Sequence, residues 1–468
     1  MQELKHRLKV EPYPYQREGI RFGLAKRRLL IGDEPGLGKT LQSIGIVDTA
    51  GAYPALVICP SSLKINWQRE FAKFTDKKAL ILDNACRTSW PYLLKMGMFQ
   101  AAVVNYESLR KYFVWDISGK PFRLKDVVFN DAVRLFRSVI IDESHRVKDP
   151  SAQQTIFTRG IVEGKEWRIL LSGTPVVNRA EDLVSQLSIM GRLPEFGGRS
   201  KFLADYGEDA NLEDLSRKLY GSCMIRREKA KVLSQLPDKT RADLHVEISN
   251  REEYELAATD LAEYLRRYTE CTDFDIRRKM RMKALVKFMT LRSLAAKGKV
   301  RQAIDFVRVF LSSGKPLILF CSLHEIVDSL CKEFPGAVTV TGRDSATAKQ
   351  AAVDAFQSGD AKLIVCSIKA AGVGLTLTAA SDVAFLELPW TYADCCQCED
   401  RAHRIGQKDN VTCYYLLGQD TIDRTLYNLI NKKKSIASQV MAADDEIPSS
   451  EIYFRELASA FLNERQYD

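Results

Sequence analysis

The sequence predicts an α/β protein: two parallel-sheet lobes in tandem, each with a helical insertion. Three observations predict it. Short apolar, β-rich runs bounded by turn residues recur through the front of the chain, segments of helical character separate them, and the rhythm resumes after a charged interval. At 468 residues with 46% hydrophobic content, the chain can bury more than one core.

The first-lobe strands are expected at RLLIG (28–32), ALVIC (55–59), AAVVN (101–105), SVIID (138–142) and RILLS (168–172). From about 181 to 220, and again from 251 to about 296, the chain is charged and helical, as in REEYELAATDLAEYLRRY and FDIRRKMRMKALVKFMTLRSLAAK. Between these intervals LPDKTRADLHVEIS has an early proline and a β-like end, and reads as a crossing linker. Strands resume at PLILF (316–320), AVTVT (337–341), KLIVC (362–366), VAFLEL (383–388) and VTCYYLL (411–417). The expected organisation is lobe 1 over 1–240 with its insertion near 181–220, a linker and helical insertion over 241–300, and lobe 2 over 301–468.

No run approaches the roughly 18 uninterrupted apolar residues that span a bilayer, and MQELKHRLKV lacks the apolar core of a secretory signal. An intracellular protein with no membrane association is expected. Eleven scattered cysteines read as free thiols; CCQC (395–398) has no second pair nearby with which to hold zinc. The net charge of +9 is compatible with a polyanionic partner, although a run such as RRKMRMK reads first as a solvated helix face.

The chemistry begins at GDEPGLGKT (32–40). The strict pattern G-x-x-x-x-G-K-[ST] wants glycine where Asp33 stands. A glycine-rich turn between strand and helix nonetheless lets successive N–H groups converge on phosphate oxygens at a helix N-terminus. The donors would be the amides of Gly36, Leu37, Gly38, Lys39 and Thr40, so the N–H that Pro35 lacks is not among them. Lys39 would neutralise the β- and γ-phosphates, and the Thr40 hydroxyl would hold magnesium. IIDESH (140–145) ends a hydrophobic strand in two carboxylates, which assigns Asp142 to the metal and Glu143 to the attacking water. QCEDRAHRIGQ (397–407) sets Arg401 and Arg404 three apart, expected on one helical face and able to reach a γ-phosphate held by the other lobe.

Together with PYQREGIRF, VICPSSLKINWQREF, VVNYESL, LLSGTP, IRREKAKVLSQLPDKTR, ILFCSL, VTGRD and SIKAAGVGLTLTAAS, these segments follow one order from about Tyr13 to Leu417. The chain resembles the Swi/Snf-type ATPases of helicase superfamily 2. The resemblance implies two RecA-like lobes, a P-loop NTPase, ATP with Mg2+, and a DNA-dependent motor on duplex DNA that hydrolyses ATP between the lobes. A strand-separating DNA or RNA helicase shares the engine, and a non-hydrolysing nucleic-acid scaffold is the rival of another class. Carried over by position, Gln16 reads adenine with Tyr13 or Tyr15 stacking nearby, and Gly36 to Thr40 form the phosphate loop. Gly173 and Thr174 couple hydrolysis to movement, while Gln397 is a sensor beside the fingers Arg401 and Arg404. Ser61, Ser62, Lys64 and Asn105, with Ser322, Thr341, Lys369 and Gly372, grip a nucleic-acid backbone, implying sequence-nonspecific, salt-sensitive contact with duplex or branched DNA.

There are departures from the family pattern. Pro35 replaces a usual methionine, Ser144 an alanine and Thr376 an asparagine, and ELPWTYAD precedes the finger motif. These resemble the annealing-helicase (HARP-like) branch and its compact bacterial or viral relatives. Targeting would come from a protein partner or the insertions, in a bacterial cytoplasm or nucleoid, a phage-infected host, or a eukaryotic nucleus.

Overall fold

The computed structural model describes residues 8–119, 122–173, 180–207, 211–233, 235–371, 375–437 and 451–465. The chain divides into two units, Met1–Gln235 and Leu236–Asp468.

In the first unit the strands are β1 (Arg28–Ile31), β2 (Ala55–Cys59), β3 (Ala79–Ile81), β4 (Ala101–Asn105), β5 (Val114–Ile117), β6 (Val127–Phe129), β7 (Ser138–Asp142), β8 (Trp167–Leu171) and β9 (Met224–Ile225). Seven of them form one parallel sheet in the order β3-β4-β2-β7-β8-β1-β9. Every residue of β2, β4 and β8 is buried, the continuous apolar signature of a sheet covered on both faces. That continuity is why these strands were legible in the sequence. The three-residue β3 and two-residue β9 were not, because neither is long enough to show a pattern. β5 and β6 form a separate antiparallel hairpin with a register shift between Val114 and Asp116. The interval expected to be a helical insertion holds helices at Asp182–Met190, Gly198–Tyr206 and Leu212–Ser222.

The strands of the second unit are β10 (Lys239–Val246), β11 (Leu317–Phe320), β12 (Val338–Val340), β13 (Leu363–Cys366), β14 (Asp382–Phe385) and β15 (Val411–Gly418). They form a parallel sheet in the order β10-β15-β14-β11-β13-β12. The segment read as a crossing linker is largely β10, paired along its whole length to β15 from Lys239↔Val411 to Val246↔Gly418. As an edge strand it has no fully buried residue, so KTRADLHV lacks the apolar run that marks the inner strands. Helices Arg251–Glu270 and Phe274–Gly298 put Leu261, Leu265, Phe288 and Leu291 into the same core as Phe385, Tyr415 and Leu417 of the sheet. Phe454 and Phe461 of helix Glu451–Glu464 close that core. The architecture is the two-sheet α/β plan expected from the sequence.

Candidate active site

Because β1, β2, β4, β7 and β8 are parallel, the loops that follow them leave the same edge of the sheet. In open α/β sheets that carboxyl edge is where ligands bind. It gathers the 32–38 loop, Ser61 to Lys64, Asn105, Asp142 to His145 and Ser172 to Gly173.

The loop after β1 turns through two left-handed glycines, Gly36 (φ 90°) and Gly38 (φ 74°), and Gly38 caps helix Lys39–Thr49. A side chain at either position would be strained. At Gly38 a Cβ would also lie 2.4 Å from Gln16 Nε2. The helix opens at Lys39 and Thr40, so its unsatisfied N–H groups and positive dipole end face the loop. The Lys39 ammonium donates to the Asp33 carbonyl at 2.7 Å. Pro35 packs against Gly173, where an added Cβ would stand 3.0 Å from Pro35 Cγ and 3.7 Å from Lys39 Nζ.

Gln16 and Tyr15, on helix Pro14–Lys26, reach the same loop. The Tyr15 hydroxyl donates to the Leu37 carbonyl at 3.1 Å and Gln16 Nε2 to the same carbonyl at 3.2 Å. Gln16 Oε1 accepts from the Tyr13 amide, and the rings of Tyr13 and Tyr15 stack 6.0 Å apart, with Tyr13 exposed.

Asp142 ends β7. Its carboxylate accepts from Trp67 Nε1 at 2.8 Å and from the Glu143 amide at 3.0 Å, and its carbonyl accepts from the Tyr106 hydroxyl at 2.6 Å. Burial and then the neighbouring Glu143 charge push its carboxyl up to about 7, against the pull of Trp67 and Lys39. Glu143 holds a left-handed backbone (φ 51°, ψ 53°), costly for a side chain with a Cβ. Its carboxylate lies 3.4 Å from His145 Nδ1, which meets the Ser172 hydroxyl at 3.2 Å. The Ser144 hydroxyl donates to buried Gln186 at 2.8 Å, so the serine that departs from the family pattern fastens the acidic turn to helix Asp182–Met190.

Magnesium takes oxygen ligands. The Thr40 hydroxyl and the Asp142 carboxylate, whose charge is disfavoured by burial beside a second acid, are donors that fit a divalent cation.

Asp33 turns away from the loop interior. It is fully buried, accepting from Arg227 Nε (3.0 Å), Arg227 Nη2 (2.6 Å) and Gln42 Nε2 (2.9 Å). Arg227 also donates to Gln42 Oε1 (2.6 Å) and to the Tyr15 carbonyl, and its guanidinium lies 5.3 Å from the Tyr15 ring centre. The backbone repeats the link: Gly32 N donates to Ile225 O and Glu34 N to Arg227 O. Sequence reasoning assigned no role to Arg227, Gln42 or Trp67, although Arg227 and Trp67 lie in segments that carried the resemblance. Arg227 meets Asp33 across 194 residues and Trp67 meets Asp142 across 75, so no local spacing reveals these two.

Of the expected nucleic-acid residues in this unit, Ser61 is exposed, Ser62 and Lys64 are half-buried, and the Asn105 amide donates to Glu107 at 2.8 Å. In the second unit Ser322, Thr341 and Lys369 follow β11, β12 and β13 at one sheet edge. The Ser322 amide donates to Glu387, the Thr341 hydroxyl to Asp344, and Lys369 is exposed. Gly372 and Thr174 lie outside the described residues.

One expectation is corrected. Helix Tyr392–Glu399, which carries half-buried Gln397, stops before both arginines, so Arg401 and Arg404 do not share a helical face. They lie in the turn that follows. Arg401 is buried and donates to the Leu375 carbonyl at 3.4 Å, while Arg404 is half-buried and donates to Asp400 O at 2.9 Å and Thr376 Oγ1 at 3.0 Å. From Glu399 onward the chain is held by partners outside the helix: Glu399 by Arg241, Asp400 by Lys239 and His403 by the Pro237 carbonyl. Cys395 and Cys398 are buried core residues, and burial pushes both thiols well up.

A model of the SNF2-related domain matches residues 15–297, and one of the helicase conserved C-terminal domain matches residues 298–406. The chain is 29% identical over 461 residues to the SWI/SNF-related matrix-associated actin-dependent regulator of chromatin subfamily A-like protein 1 homolog of Caenorhabditis elegans, covering 92% of this chain and 62% of that protein. Its Xenopus tropicalis counterpart is 30% identical over 450 residues, covering 91% of this chain and 44% of that protein. The DNA annealing helicase and endonuclease ZRANB3 of Homo sapiens is 29% identical over 461 residues, covering 94% and 41%. The chain thus spans only part of each curated relative. On the match over residues 15–297, followed directly by the helicase C-terminal match, the chain belongs to the SNF2-related family.

Proposed function

We propose that this chain is an intracellular, DNA-stimulated ATP hydrolase that moves along duplex or branched DNA. The observation that carries the reading is the arrangement at the carboxyl edge of the first sheet. A glycine-capped helix presents Lys39 and Thr40, Asp142 and Glu143 end a neighbouring region of the same edge, and Gly173 packs on the loop. Membership of the SNF2-related family supports the same chemistry.

In this reading the amides from Gly36 to Thr40 cradle the phosphates of ATP and Lys39 leaves the Asp33 carbonyl to neutralise them. Thr40 and Asp142 hold Mg2+, which when bound offsets phosphate charge. Glu143 orients the attacking water. Arg401 and Arg404, with Gln397, stabilise the charge that develops in phosphoryl transfer. Ser61, Ser62, Lys64, Asn105, Ser322, Thr341, Lys369 and Gly372 hold the DNA backbone without reading sequence. A protein partner directs the motor to its site of action.

The test is ATP hydrolysis with duplex, forked and single-stranded DNA and with RNA. Duplex or forked DNA should stimulate most, and Lys39→Ala should abolish turnover while DNA still binds. Stimulation by RNA alone, or turnover surviving in Lys39→Ala, would overturn the reading.

A further inference from the structure

The second unit begins with a charged cluster that the proposed chemistry does not use. Arg241 on β10 donates from Nε to Glu399 Oε1 at 2.6 Å and from Nη2 to Glu399 Oε2 at 3.0 Å. Lys239 Nζ lies 2.8 Å from Glu399 Oε2 and 3.2 Å from Asp400 Oδ1. The Tyr415 hydroxyl donates to Glu399 Oε1 at 2.6 Å, and Arg241 lies over the Tyr392 ring, 4.9 Å from its centre. Two residues before Lys239, the Pro237 carbonyl meets His403 Nε2 at 2.8 Å.

Glu399 is completely buried. Burial by itself would raise its carboxyl, yet Lys239 and Arg241 hold it below the ordinary value, so the cluster is ionised. Two acids face two cations, the condition under which buried charge is tolerated.

The location of the cluster gives it significance. Residues 400–407 leave the helix and return as a turn, so their placement depends on what anchors them. Glu399, Asp400 and His403 are all held by Pro237, Lys239 and Arg241, within six residues of the point where the second unit starts at Leu236. At the far end Gln407 Nε2 donates to the Ala380 carbonyl at 2.8 Å. Arg401 and Arg404 lie between these anchors.

We propose that Glu399 is a positioning residue for ATP hydrolysis: through Arg241 and Lys239 it fastens the arginine turn to the segment by which the chain enters the second unit. A displacement of residues 236–241 is thereby passed to Arg404. The inference rests on the assignment of Arg404 to phosphoryl transfer made above.

The experiment uses the full chain with Arg241→Lys, which keeps the charge balance but loses the two-pronged contact, and with Glu399→Gln. Hydrogen exchange of residues 400–407, kcat and KM for ATP at saturating duplex DNA, and DNA affinity are measured together. Exchange at 400–407 should quicken while the rest of the chain is unchanged. The kcat should fall by on the order of 10- to 10²-fold, the cost of a small misplacement of a catalytic group, with KM and DNA affinity preserved. Unchanged exchange in the turn overturns the proposal, as does unchanged kcat with a loosened turn. Exchange rising throughout the unit, with kcat, KM and DNA affinity lost together, also overturns it and leaves Glu399 a core residue alone. If the unaltered chain hydrolyses no ATP with any nucleic acid, the functional reading fails, and the exchange measurement still decides whether Glu399 fastens the turn.

Discussion

Asp33 is held by Arg227, 194 residues further along the chain, through Nε at 3.0 Å and Nη2 at 2.6 Å. The residue that breaks the strict phosphate-loop pattern is therefore a joint. It ties the start of the loop to β9 and, through Gln42 and Tyr15, to the two helices beside it. Removing the arginine would leave a fully buried carboxylate without its cation. Arg227→Ala should cost about 3–5 kcal/mol, the usual result of breaking a buried pair from one side. Four of the five tryptophans lie in the first unit, so denaturant unfolding followed by tryptophan fluorescence reports it. A loss below about 1 kcal/mol would place this pair with ordinary surface contacts.

Gly19→Ala sets two effects of opposite sign against each other. Alanine in helix Pro14–Lys26 should gain about 1 kcal/mol in helix propensity. Its Cβ, however, would lie 1.9 Å from Gln42 Oε1 and 2.8 Å from Arg227 Nη2, and neither can retreat without giving up a hydrogen bond to the other. Overpacking of this kind costs about 1–3 kcal/mol, so net destabilisation is expected in the same unfolding measurement. A more stable variant would show that the network shifts freely.

Glu143 should exchange stability for function. Its left-handed backbone costs roughly 1–2 kcal/mol in a residue with a Cβ, and its charge opposes that of Asp142. Glu143→Gly should keep or raise the melting temperature of the first unit while abolishing hydrolysis. A clear fall in stability would mean that the His145 contact outweighs the strain.

Arg404→Ala should lower turnover by roughly 10³- to 10⁵-fold with ATP affinity little changed, as for loss of an arginine finger. The side-chain contacts it gives up include one within its own turn, to Asp400 O, and one to Thr376 Oγ1, 28 residues earlier in the chain. Single-turnover hydrolysis and nucleotide titration separate the two quantities; equal losses in both would assign Arg404 to binding.

Glu399 also predicts a pH dependence. Its folded carboxyl is held below the ordinary glutamate value of about 4.3, so its stabilising contribution is complete above that value. The contribution is lost as pH falls through the folded value. The melting temperature of the unaltered chain should exceed that of Glu399→Gln at neutral pH, and the gap should close in acid. A gap that stays constant with pH would mean that the charge of Glu399 does not contribute.

Much of this molecule was legible because its inner strands are covered on both faces. ALVIC, AAVVN and RILLS announce themselves as apolar runs, and the glycine loop and the two acids follow such runs directly. KTRADLHV did not, since an edge strand lacks the continuous apolar run of the inner strands, and two of its charges, Lys239 and Arg241, turn out to be partners of buried Glu399. Spacing set Arg401 and Arg404 on one helix, but it contained no signal that the helix would end at Glu399, whose partners Lys239 and Arg241 lie some 160 residues earlier. Pro35 looked like an oddity in the loop until Gly173, far off in sequence, supplied the surface against which its ring lies.

The two-residue strand β9 bears on where the first unit can be cut. Every other strand of its sheet has entered by Leu171, and a fragment trimmed after the helices of 182–222 would appear complete by sheet count. Such a fragment would lose the backbone partners of Leu30, Gly32 and Glu34, and with them the guanidinium that neutralises Asp33. The smallest piece of this chain able to hold its phosphate loop in shape therefore extends through Lys229, whose amide donates to the Glu34 carboxylate.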